Sequence, residues 1–195
     1  MEITHKGNTL KIIRGIYNFN SVNEDTALTI GSFDGVHLGH QMVLNDLKAA
    51  ALKRGLKSAV MIFEPQPQEY FSGEKAPARL MRLRDKLKTF CDSGIDIVVC
   101  LRFDDSLRNL TADAFISIII NGLYAKHLII GDDFRFGCDR SGDFKMLQNS
   151  GKLNNFTVQQ MRTFDVDDKR VSSTSIRKAL IESKFDLAAK LLGKP

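Results

Sequence analysis

At 195 residues and 43% hydrophobic content, the chain can bury one good core with a small appendage, which excludes a second full domain. Its formal net charge of +5 suits an anionic ligand, but the cations, among them Lys48, Arg54, Arg84, Lys88, Arg108 and Lys145, form no dense tract, so no nucleic-acid partner is expected. Cys91, Cys100 and Cys138 are too far apart for a disulfide framework or a zinc site and fit a reducing cytoplasm; no leader is recognisable, and the most apolar run, 115–123, is broken by Ser117, Asn121 and Gly122, so no membrane span is expected.

The first apolar run, 10–16, holds Lys11 and Arg14 and reads as a peripheral strand or an extended lead-in. Leu28, Ile30 and Phe33 mark an inner strand of a parallel sheet, followed by a turn with Gly31, Gly35 and Gly39. A helix is predicted from about Leu38 to Arg54, with Leu44, Leu47 and Ala51 on one face and Arg54-Gly55 as its stop. The all-apolar strand 58–63 runs into Glu64-Pro65-Gln66-Pro67, predicted as an extended, rigid loop. Leu80, Leu83, Leu87, Phe90 and Cys91 step as a helix, and 95–103 is the next strand. Thr111 caps a helix holding Phe115, Ile118, Ile119 and Leu123, and the strand 126–131 ends in Gly-Asp-Asp-Phe-Arg-Phe-Gly. A short helix over 144–147, a strand over 156–161 and a turn or hairpin edge over 166–171 follow. Ser172-Ser173-Thr174 then caps a helix carrying Ile176, Ala179 and Leu180, and a second runs through Leu187, Ala188, Leu191 and Leu192. The alternation predicts an α/β fold, a doubly wound, Rossmann-like parallel sheet with helices on both faces, a small appended β element and C-terminal helices.

In such sheets the ligand sits beyond the carboxyl ends of the strands, so GSFDGVH, EPQPQ and GDDFRFG are expected to line one crevice. His37 and His40 lie three apart where the helix begins, which puts both imidazoles beside its free N–H groups. Two such histidines also suit a metal-ligand pair or a polar surface, but a glycine-bearing turn after a buried strand favours an anion site. The spacing matches neither G-x-G-x-x-G nor a P-loop. Pro65 and Pro67 offer either a pre-ordered wall for a flat ligand or a plain loop exit. Phe71, Phe134 and Phe136 are stacking or core residues, and Asp132 and Asp133 either orient a hydroxyl or a magnesium ion or are solvated. Ser172 to Arg177 offers a second anion site or a simple cap.

The segment GSFDGVHLGHQ resembles the signature of the nucleotidylyltransferase superfamily. With FEPQPQEYF, PARL, GDDFRFG, VSSTSIR and LLGKP in order from about residue 12, the chain resembles the bacterial FAD synthetase module, the FMN adenylyltransferase half of bifunctional riboflavin kinase/FAD synthetases. That resemblance implies transfer of AMP from ATP to FMN, giving FAD and pyrophosphate, with Mg2+ brought by ATP and no resident metal site. It implies that His37 and His40 hold the ATP phosphates, that Ser173, Thr174 and Arg177 engage them too, and that Asp133 lies near the flavin and the reacting phosphates. Gly31, Phe33, Asp34 and Gly39 are the expected nucleotide-binding residues of the same motif, and Pro65, Pro67, Phe71 and Phe136 the expected flavin wall. No activated nucleophile is present; an FMN phosphate is already nucleophilic, so alignment and charge neutralisation would suffice. Two positions depart from the pattern, Gln66 for a common His and Ser32 for a common Asn. A riboflavin kinase domain is expected to follow Pro195 in a parent chain. The alternatives are another small-molecule nucleotidylyltransferase, of pantetheine-phosphate, nicotinate-nucleotide or cytidylyl type, and a non-catalytic module binding flavin or nucleic acid.

Overall fold

A computed structural model describes residues 1–161, 165, 166 and 169–194. In chain order the elements are β1 (Glu2–His5), β2 (Asn8–Arg14), β3 (Thr26–Ile30), α1 (Leu38–Arg54), β4 (Lys57–Phe63), α2 (Pro67–Ser72), α3 (Leu83–Asp92), β5 (Ile97–Leu101), α4 (Asp105–Arg108), α5 (Ala112–Ser117), β6 (Ala125–Gly131), α6 (Phe144–Asn154), β7 (Thr157–Met161), β8 (Asp165–Val166), β9 (Lys169–Arg170), α7 (Ser173–Ile181) and α8 (Phe185–Leu192). The main sheet runs β1-β2-β5-β4-β3-β6-β7, parallel throughout except for β1. This is the expected doubly wound α/β sheet.

Side-chain alternation along the central strands builds two cores. Leu28, Ile30, Ala59 and Met61 face one way and pack with Phe115, Ile116 and Leu147 of α5 and α6. Ala27, Val60 and Ile62 face the other way and pack with Leu44 and Leu47 of α1 and Leu87 and Phe90 of α3. A strand covered on both faces must be apolar at every position, which is why β3 is buried throughout and why periodicity alone could not orient it. Chain order reverses around β3, with β4 on one side and β6 on the other. A crevice therefore opens at the carboxyl ends of β3 and β6.

A third, smaller cluster seats the C-terminal helices. Val171, Ile176 and Leu191 pack with Leu38 and Leu80, beside the start of α1. Gln41 of α1 adds a hydrogen bond to the Leu192 carbonyl at 3.1 Å.

Several expectations need correction. The peripheral strand placed at 10–16 is Asn8–Arg14, and it is not the edge, because β1 pairs with its outer side through a turn at Lys6 and Gly7, both at positive φ. The Pro65/Pro67 segment is not an extended loop throughout: Pro67 opens α2, and Gln66 caps it in a reciprocal capping box with Glu69. The helix placed at 144–147 runs on to Asn154, burying Leu147 and Gly151. The hairpin edge near 166–171 exists as the antiparallel pair β8–β9, while residues 167 and 168, and Pro195 of the closing motif, lie outside the described residues. Caps fell where expected. Thr111 accepts from the Ala114 N–H at 3.2 Å, and Gly55 ends α1 in the left-handed conformation at φ 64°.

Candidate active site

The turn between β3 and α1 takes its shape from backbone strain as much as from glycine. Gly35 has φ +83°, and a Cβ there would meet Leu80 at 3.1 Å. Gly31 and Gly39 do not adopt positive φ, whereas Phe33 (φ 49°) and Val36 (φ 42°) do. A β-branched residue in that region persists only when its surroundings over-determine it, and such strain gathers at functional sites. Here the surroundings are a buried core around Phe33 and Val36 and the carboxylate of Asp34, which accepts from the Leu80 and Met81 N–H groups at 3.1 Å and pairs with Arg177.

His37 is the N-cap of α1. Its Nδ1 accepts from the His40 N–H at 3.3 Å, which leaves its proton on Nε2. The two imidazoles stack with ring centroids 3.6 Å apart, and Phe33 lies against the other side of His40 at 4.8 Å. His40 Nδ1 is buried with no hydrogen-bond partner among the described residues. Burial lowers the pKa of His37 to about 4, against a smaller opposing effect of Asp34. It also pushes that of His40 well below the ordinary imidazole value, helped by the neighbouring His37 and Lys86. Both rings are therefore neutral at pH 7.

The cleft they line holds about 410 Å³. One wall is Gly31–Phe33 with His37, Gly39 and His40; a second is Gly131–Phe134 at the end of β6; a third is Arg170–Thr174, leading into α7. Ser172 caps α7 by accepting from Ser175 N–H at 3.1 Å, and the Ser173 hydroxyl donates to the Asp34 carbonyl at 3.0 Å, which fixes the third wall to the first. Arg170 reaches Asp132 at 3.3 Å and Asp133 at 3.5 Å, closing the second wall against the third.

Of the residues singled out in the sequence, Gly31, Phe33, His37, Gly39, His40, Asp133, Ser173 and Thr174 meet at this cleft. Asp34 lies behind it, 2% exposed, and its partner Arg177 also donates to the Ala78 carbonyl, so that guanidinium is turned to a structural knot rather than to the cavity. Of the three segments expected at one crevice, two line this cleft; the third follows β4, whose carboxyl end lies at the same sheet edge on the other side of β3. Pro65 and Pro67 accordingly do not line it. Phe71 is exposed against Tyr70 and Phe103, and Phe136 is core, packed on Phe115 and Phe134. Sequence reasoning missed Arg170, which carries no motif, and Lys86, which left a signal: a lysine on the apolar stripe of Leu83, Leu87 and Phe90.

Two imidazoles and a helix start on one wall, and a second capped helix start on another, make a cleft suited to a polyphosphate. Residues 19–175, which include every wall of this cleft, match the FAD synthetase family. The chain belongs to that family. It is 49% identical over 187 residues to a bifunctional riboflavin kinase/FMN adenylyltransferase of Haemophilus influenzae, covering 95% of this chain and 61% of the relative. Proteins of the same description from Pseudomonas fluorescens and Escherichia coli are each 47% identical, again over 95% of this chain and 60% of the relative. The chain thus spans about three-fifths of the length of the curated relatives it matches. A crystal structure described as a macrolide-efflux protein from Streptococcus pneumoniae shares the fold, with a TM-score of 0.79 at 24% identity over 95% of this chain and 62% of that one. The sheet carries helices on both faces and its cleft at the strand ends, and no helix among the described residues is long and apolar enough to cross a membrane. Among the described residues no group of three or more His, Cys, Asp or Glu is placed to hold a metal ion.

Proposed function

We propose that this chain is an FMN adenylyltransferase domain, which moves AMP from ATP to the phosphate of FMN and releases pyrophosphate. The observation that carries the reading is the stacked pair His37 and His40 at the start of α1, facing a cleft whose opposite wall is a second helix start. Family membership and the names of the relatives support the flavin acceptor.

In this reading the β- and γ-phosphates lie against the His37 Nε2–H, the His40 ring and the Ser173-Thr174 turn. A flavin phosphate oxygen attacks the α-phosphorus, the bond from that phosphorus to the β-bridging oxygen breaks, and pyrophosphate leaves with the electron pair. The protein's part is alignment and stabilisation of charge on the leaving group. Magnesium enters as part of the MgATP substrate, with Asp132 and Asp133 the carboxylates at the cleft. Pro65, Pro67 and Phe71 lie outside the phosphate cleft, so a flavin ring that used them would lie across the rim from the triphosphate. Phe136 would support such a site from the core and not by direct stacking.

The riboflavin kinase of the parent protein is proposed to reside in the two-fifths of the relatives that this chain does not cover. Cys91, Cys100 and Cys138 are free thiols, which supports a reducing, cytoplasmic setting. The test is direct: the chain with MgATP and FMN is expected to form FAD and pyrophosphate, and with riboflavin to form no FMN. Formation of dephospho-coenzyme A from phosphopantetheine in place of FAD from FMN would reassign the acceptor.

A further inference from the structure

Lys86 is 1% exposed and stands among the largest fully buried side chains of the molecule. It occupies α3 between Leu83, Leu87 and Phe90, where the helix turns its apolar face to the sheet. Burying an ammonium is costly unless something fixes it. Its Nζ donates to the Ser32 carbonyl at 2.6 Å, and among the described residues it makes no direct ion pair. The charged groups around it are Asp34 at the turn, Glu64 at the end of β4, Arg79 and Glu69; Arg79 is bound to both glutamates.

The position of that one hydrogen bond matters more than its strength. In a planar trans peptide the carbonyl and the following N–H point in opposite directions. With the Ser32 carbonyl drawn back to Lys86, the Phe33 N–H is turned away from Lys86, and among the described residues it has no hydrogen-bond partner. Ser32 and Phe33 both line the cleft. Phe33 is also one of the residues held at positive φ, so the peptide is kept in an orientation the chain would not choose unaided.

We propose that Lys86 is a positioning residue for the nucleotide phosphates: its ammonium holds the Ser32 carbonyl back so that the Phe33 N–H is offered to the cleft, and it adds a buried positive charge behind the two imidazoles. The proposal rests on the nucleotide-binding reading of the cleft. Its ligand class is a polyphosphate, and it assigns a functional role to a side chain that touches neither substrate. It also bears on the titration of His40, which is faced by His37 at the start of its own helix, by Lys86 from α3 and by Asp132, Asp133 and Arg170 across the cleft, while Asp34 acts on the adjoining His37.

Two substitutions test it. Lys86→Met keeps the length and removes donor and charge; Lys86→Gln keeps a donor without the charge. ATP affinity is measured by calorimetry, and imidazole titration by NMR, where only four histidines need resolving. Both variants are expected to melt cooperatively, with ATP affinity about tenfold lower in Lys86→Met and a smaller loss in Lys86→Gln. In both, the His40 midpoint is expected to move up toward the ordinary imidazole value as the neighbouring positive charge is lost. In turnover, KM for ATP should rise while KM for FMN stays within about twofold. Wild-type ATP affinity with an unshifted His40 midpoint in Lys86→Met would overturn the proposal, as would failure of both variants to fold. Calorimetry and titration need no FAD formation, so a wild-type chain that binds ATP but makes no FAD would sink the adenylyl-transfer reading alone. A wild-type chain that binds no ATP would sink both.

Discussion

His37 and His40 are neutral near pH 7 because burial disfavours their charged forms, and a polyphosphate bound beside them would favour the charged forms again. ATP binding near pH 7 is therefore expected to take up protons and to strengthen as pH falls below neutral, which calorimetry in buffers of different ionisation enthalpy would read. The same residues set a sign for stability. An unfolded imidazole binds a proton near pH 6.5, while folded His37 does so only near about 4, so the native state loses stability as pH falls between those values. Thermal melts over that window should show the decline, and a variant lacking both rings should make it shallower, with buried His127, whose pKa is also lowered by burial, supplying part of the remainder. His40→Ala is expected to lower kcat for FAD formation by about 10² to 10³ fold, the usual loss for one donor to developing charge, with little effect on melting. Both histidines and the Ser173-Thr174 pair were legible in sequence because their chemistry depends on neighbours a few residues away. Arg170 and Lys86 were assigned no role from sequence, because the side chains and carbonyl that their charged groups touch lie 37 or more residues distant.

Helix ends obey local rules, and those rules make quantitative claims. Gly55→Ala should destabilise the fold by about 1 kcal/mol in a denaturant titration, since φ is 64° and nothing lies within 4 Å of the added Cβ, so only the backbone term remains. Ser172→Ala should also cost about 1 kcal/mol through loss of the capping box, and should raise KM for ATP because the first turn of α7 carries Ser173 and Thr174 to the cleft. The caps at Thr111 and Ser172 and the stop at Gly55 were all readable. Three elements were not, among them the single turn of α4. β1 is a half-exposed edge strand whose apolar pattern is too thin to read, and α2 opens on Pro67, a residue that breaks helices from within yet suits their first position.

Across the whole molecule, Asp34 ties three distant pieces together: the β3–α1 turn, the segment at Leu80 and Met81, and Arg177 of α7. Asp34→Ala is expected to cost about 3 to 5 kcal/mol, because it leaves Arg177 partly buried without its counter-charge. Hydrogen exchange should locate the loss in α7 and α8, and ATP binding should weaken with it as the third wall of the cleft drifts. The amino-acid sequence alone determined the parallel sheet, the helices on both its faces and the glycine-bearing turn with His37 and His40 at the start of α1, since hydrophobic period, capping residues and turn chemistry act over a few residues. Only the tertiary structure decided that the Pro65/Pro67 segment stands outside the phosphate cleft, that Arg177 spends its charge on Asp34, and that Lys86 lies beneath the turn. Strand order and long-range pairing set those outcomes, and both emerge only when segments far apart in the chain compete for the same partners and the same core.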